Sequence, residues 1–312
     1  MAEHETLLTI AKLDEQGARE YLEQISWANG RFCPHCGERE RTGALNGIKD
    51  KNGNIRPGLY KCYNRACRKQ FTVTTGTVMH RTHFSIQQWL VAFHMVAACK
   101  KGVAALELQR VLGIGSYKCA LHMANRIRKA TEQEPLASKL AGIVEADETY
   151  IGGKSRKSMP GRGSERKTPV MAVIERGGSA VVKPIVRVNA ATLKGAILEC
   201  VDPSAMICTD EWVSYRGIGK EFAGGHHTVC HSSGEYARGE VHSNTAESFF
   251  ALLKRGVHGT YHHVSKKHML RYCDEFAFRW NHRKVTDGAR ASAIMAGIGG
   301  KRLTYRQQVA GE

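Results

Sequence analysis

Residues Val144–Lys154 read VEADETYIGGK, and the interpretation of the whole chain starts from this stretch. It gathers Glu145, Asp147 and Glu148 within four residues of a protein whose formal net charge is +17. Carboxylates at this spacing repel one another and raise one another's pKa unless water or a cation screens them. Either the three acids lie on a solvated strand, or a cation bridges some of them.

The composition favours a polyanionic partner. The 312 residues include 46 Lys and Arg against 29 Asp and Glu, and an excess of this size is typical of proteins that bind nucleic acid. A membrane surface is the competing polyanion, but no run of 18 apolar residues occurs, so no segment is expected to span a bilayer and no membrane partner is predicted. The N-terminal sequence MAEHETLLTIAKLDEQ lacks a secretory apolar region, which predicts a cytoplasmic, nucleoid-associated protein. In the cytoplasm, ten cysteines indicate metal binding more than disulfides.

Shifts in composition predict a multidomain α+β protein with five segments. These are an N-terminal helix over 1–30, a zinc ribbon over 31–83, a helical DNA-binding segment over 84–138, a mixed α/β core over 139–285 and a tail over 286–312. Within the core, the basic stretch 154–169 contains Gly, Ser and Pro and is predicted to be a mobile loop. The tail carries little pattern.

Two cysteine pairs have the spacing of zinc knuckles. Cys33 and Cys36 stand in FCPHCGE, and Cys62 and Cys67 stand in YKCYNRACRKQF. Zinc takes four tetrahedral ligands, and a tight turn with two thiolates supplies two adjacent corners. The four thiolates therefore predict a closed, structural Zn²⁺ site that supplies the folding energy of a zinc ribbon. The alternative is two pairs of ordinary reduced cysteines, and His35 is a weaker candidate ligand.

Residues 84–130 predict three helices, of which the last two resemble a helix-turn-helix. The segment ALELQRVLG forms the second helix, and the turn GIGS leads into the third. The apolar side of the third helix carries Tyr117, Leu121, Ala124 and Ile127. Its opposite side carries Lys118, His122 and Arg126, which are predicted to contact DNA. The alternative is an ordinary three-helix bundle with a solvated charged face.

The residues after 139 predict strands and helices in a defined order. Residues 142–150 alternate as a strand, TPVMAVIE and AVVKPIVRV follow as strands around a Gly-Gly turn, and AATLKGAILECV is a helix. AMICTD is a fourth strand that ends at Asp210, HHTVCH is a fifth, and a capped helix then carries Glu247 in its first turn. This order matches the ribonuclease-H-like topology, in which a carboxylate on the first strand, one at the end of the fourth and one on the final helix converge.

The predicted catalytic residues are Asp147, Asp210 and Glu247. Oxygen ligands suit Mg²⁺ or Mn²⁺, and two such ions about 3.5–4 Å apart support phosphodiester chemistry. Glu148 points to the opposite strand face from Asp147 and is predicted to be structural, whereas Glu145 shares the face of Asp147 and supports the site. Taken singly, each acid is most often a solvated carboxylate, so the prediction rests on the joint pattern.

The helix that carries Glu247 also carries a predicted phosphate contact. Lys254 lies seven residues after Glu247, two helical turns along, so the two side chains share a face. Lys254 and its neighbour Arg255 are predicted to bind DNA. The alternative is that Glu247 only places a negative charge at the helix N-terminus.

At these residues the chain closely resembles bacterial insertion-sequence transposases that join an N-terminal zinc ribbon to an ISXO-like DDE core. The matching stretches cover most of 31–285 and include FCPHCG, GIVEADETYIGGK, ICTDEWVSY and HSNTAESFFALLKRG. The resemblance implies Asp147 and Asp210 as the first two acids and Lys254 as the trailing lysine. The family varies at the third acid between Glu, Asn and His, and both Asn244 and Glu247 are available; Glu247 is predicted because a carboxylate binds magnesium better.

The predicted function is a DNA transposase that acts at the terminal inverted repeats of an insertion sequence. Water hydrolyses a phosphodiester, and the freed 3′ hydroxyl then attacks a second duplex. The partners would be double-stranded DNA, both element ends and target, and further copies of the chain that hold two ends together. The alternatives are a simple ribonuclease-H-like nuclease and a zinc-ribbon/helix-turn-helix DNA-binding regulator with an inactive core. The presence of all three acids speaks against the regulator.

Overall fold

The computed structural model describes residues 6–49, 52–133, 136–152, 167–229, 239 and 241–310. Contacts divide the chain into two compact units: unit 1 comprises 1–99, 103–131 and 285–311, and unit 2 comprises 100–102, 132–284 and 312. The predicted loop over 154–169 falls mostly on 153–166, outside the described residues. Within the described ranges, no helix combines the length and the apolar character needed to cross a membrane.

Unit 1 opens with two short helices, where the sequence predicted one. Helix α1 spans Leu7–Ala11 and α2 spans Glu15–Ser26. Two helices form in place of one because an Asp14 carboxylate oxygen accepts a 2.7 Å hydrogen bond from the Gly17 amide and so caps the start of α2.

A small antiparallel sheet follows. Its strands are β1 (Thr42–Ala44), β2 (Tyr60–Cys62) and β3 (Gln70–Phe71), which pair in that order. The core beside this sheet consists of buried Cys33, Cys62 and Phe71, with Trp27 and Tyr60 packed against them. So small a core cannot stabilise a domain by burial alone, which is consistent with the predicted need for a metal.

The three helices predicted over 84–130 are present. They are α3 (Ile86–Ala98), α4 (Ala105–Leu112) and α5 (Tyr117–Ala130). Ser85 starts α3 with a capping box, and Gly113 ends α4 with a φ of 65°, a left-handed conformation that favours glycine. Ser116 then caps α5, so α4 and α5 are joined by a short turn.

Unit 2 is built on a five-stranded mixed sheet. The strands are β4 (Ile143–Ile151), β5 (Thr168–Glu175), β6 (Ala180–Pro184), β7 (Met206–Asp210) and β8 (His226–Val229). Their spatial order is β6-β5-β4-β7-β8, with β4 antiparallel to β5 and parallel to β7. The helices are α6 (Ala190–Cys200), α7 (Asn244–Gly256) and α8 (Met269–Asn281), and a π-helix, Val257–Tyr261, follows α7 directly.

Strand β4 separates two apolar cores by alternation. Val144 and Ala146 belong to the cluster that includes Leu193 and Ile197 of α6. Ile151, on the alternate set of positions, belongs to the cluster formed with α7 and α8. The predicted alternation of β4 is therefore confirmed, and the odd-numbered residues of the strand face α7.

The predicted patternless tail contains two further helices. Helix α9 spans Asp287–Ala296 and α10 spans Tyr305–Val309. Thr286 caps α9, and Ala291, Ile294 and Met295 are buried, so α9 is a core element of unit 1. The prediction missed α9 because its apolar positions are mainly small residues and lie between glycines.

Candidate active site and metal-binding cysteines

Asp147 and Asp210 lie on neighbouring parallel strands at the same level. The register of β4 and β7 pairs Glu145 with Cys208, and Asp147 and Asp210 each follow two residues later on their strands, close enough for the Asp210 charge to act on Asp147. Parallel strands lie about 4.8 Å apart, and residues in register point to the same face. Strand pairing thus brings together two carboxylates that are 63 positions apart in sequence.

Helix α7 adds a third carboxylate to the same pocket. The pocket encloses about 440 Å³. The described residues that line it are Asp147, Glu148, Thr149, Asp210, Ser243, Glu247, Phe250, Ala251 and Lys254. All three predicted catalytic acids and Lys254 therefore meet in one cavity, and Asn244, the other candidate for the third position, lies outside its lining.

Burial and the neighbouring carboxylates both disfavour the ionised form of Asp147. Burial raises the pKa of Asp147 to about 7, and the nearby carboxylates of Glu148, Asp210 and Glu247 add to that rise. The Glu148 amide, which donates a 2.8 Å hydrogen bond to Asp147 Oδ1, opposes it. A hard divalent cation beside Asp147 would stabilise its ionised form.

Glu148 also lines the pocket, although the sequence suggested a purely structural role. Its carboxylate accepts a 2.7 Å hydrogen bond from the hydroxyl of Tyr215. Tyr215 is fully buried in the apolar cluster that packs β4 against α6, here called the α6 core. The strand faces of Asp147 and Glu148 do differ, as alternation requires. Both residues nevertheless line the pocket, so strand alternation alone did not predict that Glu148 is part of it.

The carboxylate set fits magnesium or manganese. Asp147, Asp210 and Glu247 offer oxygen atoms from three separate elements, and Lys254 is a cation on the lining beside them. Hard divalent ions prefer such oxygen ligands and leave positions for phosphate oxygens. The residues that would hold such ions are therefore Asp147, Asp210 and Glu247.

The four predicted zinc ligands form one cluster. The Sγ atoms of Cys33, Cys36, Cys62 and Cys67 all lie within 4.8 Å of one another. Desolvation raises the pKa of the Cys62 thiol to about 12, so a cation is needed to hold it as a thiolate at neutral pH. This donor set fits a structural zinc ion, and His35 is not part of it.

Two similar turns shape the cysteine cluster. In the first, Gly37 donates to the Cys33 carbonyl and has a φ of 79°. In the second, Arg68 donates to the Asn64 carbonyl and has a φ of 53°, a conformation that non-glycine residues seldom adopt. The Asn64 side chain also donates a 3.1 Å hydrogen bond to Glu38, which ties the two turns together. The wider C-x4-C spacing therefore still forms a knuckle.

The expectation of one exposed basic face on α5 is wrong. Lys118 is exposed, but Arg126 is only 6% exposed and donates a 2.6 Å hydrogen bond to the His80 carbonyl, with its guanidinium over the Trp89 ring. His122 Nδ1 lies 2.6 Å from Gln308 Oε1 of α10. A guanidinium buried in this way does not reach a DNA phosphate, because tertiary packing covers the C-terminal half of α5.

The apolar side of α5 also differs from the prediction. Ala124 and Ile127 are buried as expected, but Tyr117 is 48% exposed. By contrast, the two cations predicted on α7, Lys254 and Arg255, are both exposed. In the described part of unit 2 they remain accessible to a nucleic-acid backbone.

Comparison with known proteins agrees with this arrangement. A family model described as the ISXO2-like transposase domain matches residues 139–281, and one described as the transposase zinc-ribbon domain matches residues 13–70. Together the two matches cover more than half of the chain. The chain belongs to the insertion-sequence transposases that combine these two domains.

A relative with the same overall extent is found in an archaeon. It is described as an uncharacterized protein in transposable element ISH50 of Halobacterium salinarum. The two sequences are 28% identical over 286 residues, which cover 86% of this chain and 91% of the relative. The likeness therefore extends across both units and is not confined to one domain.

Proposed function

We propose that this chain is a DNA transposase that binds the terminal inverted repeats of its insertion sequence, cuts the DNA there and joins the freed end to target DNA. The observation that carries the proposal is the convergence of Asp147, Asp210, Glu247 and Lys254 in one pocket of unit 2. The relative in transposable element ISH50 supports it. The strand order β6-β5-β4-β7-β8 and the position of α7 support the ribonuclease-H-like topology expected from the sequence.

The three acids would hold Mg²⁺ or Mn²⁺ in this function. Ions bound there would neutralise the carboxylates, activate an attacking oxygen and stabilise the leaving oxygen of a phosphodiester. In the cutting step, a water molecule loses a proton as its oxygen bonds to phosphorus, the bond from phosphorus to the 3′ oxygen breaks, and the 3′ oxygen takes up a proton. In the joining step, the 3′ hydroxyl loses its proton and attacks a phosphodiester of the target, whose own 3′ oxygen leaves.

The residues around the pocket orient the DNA. Lys254 lines the pocket two turns after Glu247 and supplies a positive charge for a backbone phosphate next to the reacting one. The buried side chain of Phe250, which lies between Glu247 and Lys254 in the sequence of α7, forms an apolar part of the pocket lining. Together the carboxylates and Lys254 define where a phosphate is held.

A basic segment extends from the pocket and supports DNA as the partner. Residues 248–273 contain no Asp or Glu, but they contain five Lys or Arg residues and four His residues. Lys254, Arg255, Lys266 and Lys267 are exposed. A single-sign surface of this kind attracts a polyanion. We therefore assign the contact with the DNA backbone mainly to this segment of unit 2 and to Lys118 of unit 1, and joining two element ends would require more than one copy of the chain.

The four cysteines serve this function indirectly. A closed set of four thiolates leaves no open position for substrate, so zinc there would stabilise the ribbon and take no part in cutting. Lys61 and Lys69 flank the second cysteine pair, and Arg65 lies between its two cysteines. The stabilised ribbon would present these cations to DNA.

A strand-transfer assay tests the proposal. The substrate is DNA that carries the inverted repeats flanking the gene, incubated with target DNA and Mg²⁺, and Asp147→Asn is the inactive control. Products joined to target DNA are expected from the wild type and not from the variant, while both bind the repeat DNA. Cutting without joining would indicate a nuclease, and binding without cutting would indicate a regulator.

A further inference from the structure

Glu145 is a buried carboxylate two residues before Asp147 on the same face of β4. Its side chain has no solvent exposure. Arg176, which follows β5, donates to Glu145 Oε1 from Nε at 2.9 Å and from Nη2 at 2.8 Å. Leaving a buried carboxylate without a partner is strongly destabilising, and Arg176 supplies that partner for Glu145.

His242 Nδ1 also lies 3.2 Å from Glu145 Oε1, and the remaining contacts of Glu145 come from the first turn of α7. The backbone amides of Thr245 and Ala246 donate to Glu145 Oε2 at 2.7 Å and 3.1 Å. The Thr245 hydroxyl donates to Oε1 at 2.8 Å. Ser243, the residue at the N-cap position of α7, makes no side-chain capping bond. A carboxylate from the sheet therefore caps this helix, where the helix dipole also favours a negative charge.

This capping joins the strand of the first acid to the helix of the third. Glu145 precedes Asp147 by two residues, and Ala246 directly precedes Glu247. Moving the start of α7 relative to β4 would break the hydrogen bonds of Glu145 and would change the separation of the Asp147 and Glu247 carboxylates. The Glu145 side chain thus couples the position of Asp147 to that of Glu247.

We propose that Glu145 is a positioning residue that sets the spacing of the Asp147 and Glu247 carboxylates for divalent-cation binding. This assignment rests on the proposed function of the pocket. Glu145 does not itself ligate the cation, because Oε1 and Oε2 both already accept hydrogen bonds and the residue does not line the pocket. The two hydrogen bonds from Arg176 fix the orientation of the Glu145 carboxylate.

The test compares Glu145→Gln with Glu275→Gln in the full chain. Glu275 is a matched control because it is also buried in unit 2, pairs with Arg279 and accepts a 2.7 Å hydrogen bond from Tyr261. In Glu145→Gln, an amide group would face the donors of Arg176 or of α7, because a glutamine side chain has only one acceptor oxygen. The readouts are Mn²⁺ affinity without DNA and hydrogen exchange at the Thr245 and Ala246 amides.

We expect Glu145→Gln to weaken Mn²⁺ binding about 10- to 100-fold, the range for residues that orient metal ligands. Exchange at the Thr245 and Ala246 amides should accelerate as well. Glu275→Gln should lower the thermal midpoint and leave the Mn²⁺ affinity at the wild-type value. Thr245→Val, which removes only the hydroxyl donor, serves if Glu145→Gln does not fold, and it should weaken Mn²⁺ binding by about 10-fold.

Three outcomes overturn the assignment. The first is wild-type Mn²⁺ affinity in Glu145→Gln, or in Thr245→Val where that variant replaces it. The second is unchanged exchange at Thr245 and Ala246, and the third is an equal loss of affinity in Glu275→Gln, which would mark a general stability effect. If the wild-type chain itself binds no Mn²⁺, the proposed function fails and the assignment fails with it. If the wild type binds and the variants bind equally well, only the assignment fails.

Discussion

The hydroxyl of Tyr215 donates a 2.7 Å hydrogen bond to Glu148 Oε2, and this bond joins the α6 core to the wall of the acidic pocket. Burial raises the pKa of Tyr215 well above its usual value, and the Glu148 carboxylate raises it further. The hydroxyl therefore stays protonated and remains a donor. The bond from Tyr215 therefore fixes the orientation of the Glu148 carboxylate, whose negative charge acts on Asp147.

Tyr215→Phe tests that bond. The substitution keeps the ring in the core and removes one hydrogen bond, so we expect the free energy of unfolding to fall by about 0.5–1.5 kcal/mol in denaturant titrations. Tyr63→Phe is the control, because Tyr63 is half exposed and its loss of a hydroxyl should change little. Equal stability of Tyr215→Phe and the wild type would mean that the bond makes no net contribution.

The third acid of the pocket can be identified by paired substitutions on α7. Glu247→Gln should lower the rate of DNA cleavage by more than about 100-fold, since a lost ligand costs more than a lost supporting residue. Asn244→Ala should cut at nearly the wild-type rate, because Asn244 lies outside the pocket lining. Cleavage of end-repeat DNA measures both. The reverse ranking would move the third position to Asn244.

Zinc content tests the cysteine cluster. The purified wild-type chain should contain about one zinc ion, measured by elemental analysis, because four thiolates complete one tetrahedral site. Cys62→Ser should lose the metal and unfold the ribbon, since metal binding supplies much of the folding free energy of such modules. Cys119→Ser is the control, because Cys119 is exposed on α5 and lies outside the cluster. Full zinc content in Cys62→Ser would contradict the assignment.

The salt dependence of DNA binding tests Lys254. Each phosphate contact that is lost should reduce the slope of log affinity against log salt by about 1. We expect this reduction for Lys254→Ala and a twofold larger one for Lys266→Ala combined with Lys267→Ala. Arg187→Ala combined with Lys220→Ala removes the same charge from residues beside the α6 core and should leave the slope unchanged. Equal slopes in all variants would exclude direct contacts by the lysines.

Gly102 illustrates a packing requirement within unit 2. A Cβ at Gly102 would lie 1.7 Å from the Tyr261 hydroxyl oxygen, and the φ of 86° already disfavours other residues. Gly102→Ala should displace Tyr261 from its hydrogen bond with Glu275 and destabilise the protein by about 1–3 kcal/mol. Gly195→Ala, in open space within α6, should instead stabilise it by about 0.5–1 kcal/mol. Thermal unfolding measures both, and a stable Gly102→Ala variant would refute this packing argument.

Local patterns predicted the elements that carry the candidate site. The strand TPVMAVIE has the predicted boundaries because it is a continuous apolar run bounded by a loop and a Gly-Gly turn. The cysteine cluster could also be predicted, because ligand spacing within a tight turn is a local property. Helix α9 could not be predicted, because its apolar positions are mainly small residues. The burial of Arg126 could not be predicted either, because a basic residue on a helix gives the same sequence pattern whether solvent or Trp89 lies beside it.

The amino-acid sequence by itself determined which groups are available: four thiolates at knuckle spacing, acids at a strand, a strand end and a helix start, and a basic excess. Such features follow from spacing along the chain, which fixes local geometry. Only the tertiary structure decided which of these groups meet. The β4–β7 register, the capping of α7 by Glu145 and the bond from Tyr215 to Glu148 are contacts between residues far apart in sequence, and they depend on how whole faces pack.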